Sequence, residues 1–292
     1  MSSAVGCQQA LMNKWSLERN LPSVNLDTTT TTCEASWYDA AAHQEEVDAA
    51  VNSFDGQRDL DCLDLYGASK VVAKTFGRHR KKAVVYDIKL NGLKNDVCSR
   101  LGFFFLLALA LRLKPKGICV GGPPCSLFIF LSSSVHRRCS ANAWGNEGHS
   151  GVRLANMIVK NTIVVLHILV QRGVYVVIEQ PGSSWMFKVP NFKDLISAFD
   201  LQRIFTYMGA FGHMMCKPSH LLSNLPTLTQ LSRRLTPAQR RRIQERAKKA
   251  GKTFVRKING SVCGAKDLQS SAEYTDRFCE ALYQCWLRGR AM

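Results

Sequence analysis

From Asp59 onward, short β-branched runs alternate with longer helix-periodic ones, and few folds accept that rhythm. The runs Asp61 to Leu65, Ala83 to Tyr86, Gly117 to Val120 and Val174 to Ile178 predict strands, with a further one over Arg203 to Met208. Gly102 to Leu113 and Leu154 to Gln171 read as helices between them. Several of the strand runs end at Asp, Gly or Glu, as buried parallel strands do where they open into functional loops. The expected architecture is α/β, a doubly wound and mostly parallel sheet.

Composition narrows the class of partner. The 292 residues are 46% hydrophobic and 21% charged, which fits a globular chain and excludes collagen-like or wholly disordered ones. Lys and Arg number 39 against 22 Asp and Glu, a formal charge of +17, which favours an anionic partner. The first 60 residues carry nine acids and three bases, so the positive excess lies in the body. Residues 1–56 are expected to form a flexible acidic extension, with one helix over Ala35 to Val51. Eleven scattered cysteines with no C-x-x-C pair predict neither a zinc ribbon nor a disulfide scaffold, and the seven histidines form no metal-ligand spacing. No structural metal is expected. The N-terminal segment lacks a signal-peptide pattern, and Phe103 to Leu111 is too short to span a bilayer, so a soluble, intracellular protein without a membrane partner is expected.

Three segments carry candidate chemistry. Gly121-Gly122-Pro123-Pro124-Cys125-Ser126 follows a strand and breaks it, which leaves Cys125 where a nucleophile could stand; a structural turn with a packed thiol competes. Val176 to Pro181 ends a neighbouring strand in Glu179, which could serve as a proton donor beside Cys125 or as a solvated carboxylate. Asp64-Leu65-Tyr66-Gly67-Ala68-Ser69, followed 23 residues later by Asp87, pairs a glycine turn with an acid suited to ribose hydroxyls. Further on, Ser232 to Lys257 holds eleven Lys or Arg and the single acid Glu245. Thr236-Pro237-Ala238-Gln239 supplies a helix cap there and Gly251 an end. Such a helix is either a charged exterior or a contact for nucleic-acid phosphates. Its RRRIQERAKK run is also compatible with nuclear import.

In order, DLYGAS, VVYD, NDV, GGPPCS and VIEQP resemble the shared elements of the DNA cytosine-5 methyltransferase family over residues 59–224. The resemblance implies a Rossmann-like S-adenosylmethionine-dependent methyltransferase fold acting on DNA. It makes Cys125 the nucleophile that adds to C6 of a flipped cytosine and Glu179 the acid at N3, with the methyl group passing to C5. Asp64, Tyr66, Gly67, Asp87 and Pro124 would hold the cofactor, with Asp96 near its adenine. Ser126, Lys217, Arg240 and Arg241 would face the nucleic acid, Lys217 in place of the family's arginine.

The sequence departs from the family in lacking a second glycine in the first loop, in having Gln180-Pro181 after Glu179, and in lacking a Gln-x-Arg-x-Arg strand. Arg233-Arg234-Leu235-Thr236-Pro237 is similar to the family's late R-x-L-T element and lies close after Asn224, which leaves no room for a target-recognition domain. Residues 57–224 are thus expected to form the catalytic core, and 225–292 a basic helix and a closing segment. Two other readings stay open: a degenerate member that only binds nucleic acid, and an RNA cytosine methyltransferase.

Overall fold

A computed structural model describes residues 37–258 and 261–292. Its centre is a six-stranded sheet in the order β2-β1-β3-β4-β6-β5. The strands are β1 (Leu60–Leu65), β2 (Ala83–Tyr86), β3 (Leu113–Gly121), β4 (Tyr175–Pro181), β5 (Gln202–Tyr207) and β6 (Pro218–Ser223). The first four pair in parallel, while β6 runs antiparallel between β4 and β5. This is an α/β fold with a mixed, mostly parallel sheet, compatible with a Rossmann-like fold. All six residues of β1 are buried, as expected of an interior strand covered on both faces.

The principal helices are α1 (Gln44–Asn52), α2 (Val71–Arg78), α3 (Arg100–Leu111), α4 (Ser150–Gln171), α5 (Pro190–Ala198), α6 (Pro237–Lys249) and α7 (Asp276–Ala291). Residues from α3, α4 and α5 build the larger core on one face of the sheet, and residues from α2 and α7 build the other. Among the described residues α4 is the one helix long and apolar enough to cross a membrane. Here Val152, Val159, Leu166 and Leu169 turn that apolar surface inward and are buried.

Several features differ from what the sequence pattern suggests. β6 lies where the sequence pattern offers only a short motif, because Pro218 and the polar residues Ser219, His220 and Ser223 disguise it. It is stitched in place by Asn224, which accepts from Val176 N at 2.8 Å and donates to Val174 O at 3.0 Å. The acidic extension is not loosely attached over its described part. Tyr38, Ala40, Val47 and Ala50 belong to the core, and Asn161 of α4 bonds both Tyr38 O and Ala40 N. The helix there begins at Gln44 rather than Ala35, and residues 1–36 lie outside the described residues. Beyond residue 224, α7 is part of the fold's second core: Trp286 is fully buried and donates to Lys116 O of β3 at 2.9 Å. Beyond Gly251, where the helix is expected to end, β7 (Val255–Ile258) and β8 (Ser261–Gly264) pair antiparallel.

α6 follows its local code. Thr236 and Gln239 complete a reciprocal capping box, Pro237 occupies the first turn, and Gly251 takes φ +64° just past the end. Only Ile243 and Ala247 on this helix are buried.

Candidate active site

The direction of winding reverses at β1, which is flanked by β2 on one side and β3 on the other. In open α/β sheets the crevice beyond such a reversal, at the carboxyl ends of the strands, is where ligands bind. Asp64, Gly67, Asp87, Cys125 and Glu179 all lie at those ends.

On the β1/β2 side the acids are held by main-chain amides. Asp64 accepts from Ala73 N at 3.1 Å, and Asp87 accepts from Ala68 N at 3.1 Å and from Lys89 N at 2.8 Å. Gly67 is required sterically, since a Cβ there would sit 2.1 Å from Asp64 Oδ1. Burial and the nearby Asp87 push the Asp64 carboxyl up to about 6. Tyr66 takes φ +62° and turns its hydroxyl to Thr162 Oγ1 of α4 at 2.6 Å, so its side chain braces the loop against α4. Asp96 is half-buried and accepts from Cys98 N at 2.9 Å. Its neighbour Asn95, 2% exposed, donates to Asp87 O and leaves its Oδ1 without a partner.

On the β3/β4 side the groups are held by other side chains. Gln180 donates to Pro123 O at 2.8 Å and accepts from Ser184 Oγ, which fixes the loop that carries Cys125. The residue that departs from the family pattern is thus the strut of the cysteine loop. Cys125 is half-buried, and its thiol is pushed up to about 11 by burial and by Glu179, against a downward pull from Lys217. Pro124 and Ser126 are exposed on either side of it. Glu179 is 6% exposed; Ser219 Oγ donates to its Oε1 at 2.5 Å, and Lys217 Nζ lies 3.6 Å from the same oxygen. Lys217 itself takes φ +38°, a strained conformation for a side chain with a Cβ, at the entrance to β6.

Two residues of the site, Ser219 and Tyr274, carry no functional signal in the sequence. The register of β6 against β4, with Leu221 opposite Glu179, brings Ser219 to the acid, and nothing local announces that pairing. The helical spacing around Tyr274 suggests core packing, yet its hydroxyl is buried without a hydrogen-bond partner. A Cβ on Gly122 would lie 2.8 Å from that hydroxyl and 3.9 Å from Glu179 Oε2.

Other expected residues stand apart. Arg240 and Arg241 lie on the exposed face of α6; Arg240 sits over the Tyr207 ring, and burial raises the thiol of Cys216, one residue before Lys217, against an opposing pull from Arg240. α6 is tied to the loop before Lys217 by Arg246, which donates to Gly212 O and His213 O. Arg138, after the cysteine loop, is spent internally: it is buried, lies over Phe128 and bonds Leu127 O, Ala143 O, Trp144 O and Asn156 Oδ1. Among the described residues no group of three or more His, Cys, Asp or Glu is placed to hold a metal ion.

No family model matches the sequence, and no match was found among curated proteins.

The chemistry of the crevice therefore rests on its own groups. The β1/β2 side offers a buried carboxyl with one main-chain donor, Asp64, and the orphan Oδ1 of Asn95, which suit a ligand rich in donors and positive charge. S-adenosylmethionine has that character in its ammonium, sulfonium, ribose hydroxyls and adenine amino group, so the residues present fit it. The β3/β4 side offers a thiol, a carboxyl group and an ammonium group within one electrostatic cluster.

Proposed function

We propose that this protein transfers a methyl group from S-adenosylmethionine to C5 of cytosine in DNA through a covalent Cys125 adduct. The observation that carries the reading is the juxtaposition of Cys125, Glu179 and Lys217 at adjacent strand ends, beside an acid-lined pair of strands that suits the cofactor.

Asp64, Gly67 and Asp87 hold the cofactor in this reading, with Asn95 and Asp96 toward its adenine. When bound, S-adenosylmethionine supplies an electrophilic methyl group and leaves as a neutral thioether. The raised Cys125 thiol and the neighbouring Glu179 carboxylate form a proton-transfer pair. Passing the thiol proton to Glu179 makes the nucleophile and the acid in one step, and it removes the negative charge that opposed the thiolate. Lys217 favours the thiolate that results. The thiolate then bonds to C6 while Glu179 returns the proton to N3, which leaves C5 electron-rich for methylation. Loss of the C5 proton to solvent and of Cys125 from C6, with the N3 proton returning to Glu179, restores the thiolate, the acid and the aromatic ring.

The exposed face of α6 supplies the phosphate contacts, through Arg240 and Arg241. Duplex cytosine would reach Cys125 by base extrusion. A second reading, nucleic-acid binding without catalysis, is favoured by one feature: both oxygens of Asp87 already accept main-chain amides.

Calorimetric titration of S-adenosylmethionine separates the two. The methyltransferase reading expects binding that Asp87→Ala abolishes; a wild-type protein that does not bind the cofactor leaves the binding-only reading. Parallel transfer assays on DNA and structured RNA then fix the substrate.

A further inference from the structure

Tyr274 immediately precedes the cap of α7 and is held rigidly. Thr275 caps the helix by accepting from Phe278 N and donates to Phe211 O at 2.7 Å, while the Tyr274 ring packs against Phe278 with centroids 5.3 Å apart. Lys217 Nζ stands 5.8 Å from the same ring. The hydroxyl that this arrangement presents is buried, unpartnered and directed at Gly122, the one residue type that admits it so close to the cysteine loop. Leaving a buried hydroxyl unpaired forfeits the hydrogen bond it makes in water, so a ligand that supplies an acceptor recovers that cost.

The neighbours decide what kind of acceptor. Glu179, Asp64 and Cys125 all surround the hydroxyl electrostatically, and together with burial they keep its proton in place, so it acts as a donor. Two acids nearby disfavour an anionic acceptor such as a carboxylate or phosphate and favour a neutral carbonyl oxygen. A pyrimidine ring whose N3 meets Glu179 carries such an oxygen on the adjacent carbon.

We propose that Tyr274 is a substrate-contacting residue that donates its hydroxyl to the ring carbonyl oxygen of the bound cytosine. The proposal rests on the cytosine reading of the crevice. With Glu179 it gives the site a donor and an acid on neighbouring ring positions, which reads the base rather than the backbone.

The test compares the full-length protein with Tyr274→Phe. The probes are two fluorescent oligonucleotides, identical except that one carries a single cytosine and the other an abasic residue there. The wild type should prefer the cytosine probe, and Tyr274→Phe should lose about 3-fold to 10-fold of that preference while binding the abasic probe equally well. The variant should also melt no lower than the wild type, because an unpaired hydroxyl is removed, and should keep its affinity for S-adenosylhomocysteine. A wild type that prefers cytosine, with Tyr274→Phe preferring it equally, overturns the role of Tyr274 alone. A wild type indifferent to the base overturns the cytosine reading and this proposal with it. A loss of S-adenosylhomocysteine affinity in Tyr274→Phe places the hydroxyl on the cofactor and overturns the assignment to the pyrimidine.

Discussion

At the ends of β1 and β2 the acids Asp64 and Asp87 are held by main-chain amides, whereas Glu179 and the Cys125 loop, at the ends of β3 and β4, are held by side chains, Ser219 and Gln180. The first arrangement uses main-chain amides 2, 9 and 19 positions from their acids, fixed by the backbone of strand, glycine turn and helix start, so it tolerates side-chain change elsewhere. The second joins side chains to partners 40 and 57 positions away across the sheet, and its electrostatics are shared between its members. A change at one member therefore retunes the others. The crevice thus pairs a preformed binding half with a tunable chemical half.

The largest effect that could break this contrast lies in the tunable half. Glu179→Gln should slow methyl transfer by roughly 10²-fold to 10⁴-fold, as expected for loss of a general acid. It should also lower the titration midpoint of Cys125, since the Glu179 charge helps to raise it; Lys217→Ala should raise it further. The pH dependence of alkylation by iodoacetamide reads both, with a wild-type midpoint of about 11. Midpoints unmoved by either change would mean that the three groups do not share a field.

A smaller effect sharpens the binding half. The Asp64 carboxyl is raised to about 6 in the folded protein from an ordinary value of 3.8, so the fold binds its proton more tightly than the unfolded chain does. Stability is then lost as pH rises from about 4 to about 6, and the deficit persists at neutral pH. Asp64→Asn should stabilise the protein at pH 7 by on the order of 3 kcal/mol, since a shift of one unit corresponds to about 1.4 kcal/mol. The same change should weaken cofactor binding. Thermal melts at pH 4 and pH 7 check it: a variant that gains nothing at pH 7 contradicts the view that the acid is held for a ligand at the expense of the fold.

These contrasts follow what can be read from the chain. β1 to β4 and the residues placed at their ends are legible because buried parallel strands are written as largely apolar runs that stop at Asp, Gly or Glu. α6 is legible because its capping box is contiguous. β6 is not, since Pro218, Ser219 and His220 read as a loop until β4 and β5 enclose them. The segment around Tyr38 misleads as well: its acidic composition suggests a solvated tail, yet Asn161, far along the chain, satisfies its backbone. Gln180 reads as a departure because its role depends on Pro123 across the strands. Tyr274 has no local signal at all.

The smallest expected effect concerns α6. Arg240→Ala with Arg241→Ala should leave the fold intact, as both side chains are exposed, and should weaken DNA binding at low salt without changing sequence preference. The slope of log affinity against log salt should fall by about 2, one unit for each phosphate that is no longer neutralised. An unchanged slope would remove α6 from the nucleic-acid surface.

The account depends most on Cys125 as the attacking group. The direct measurement is transfer of a tritiated methyl group from S-adenosylmethionine to duplex DNA by the wild type and by Cys125→Ala, scored with protein that binds the cofactor equally in both forms. The account predicts transfer by the wild type and a loss of at least about 10³-fold in the variant. Equal transfer by Cys125→Ala, or none by a wild type that binds both cofactor and DNA, would contradict it.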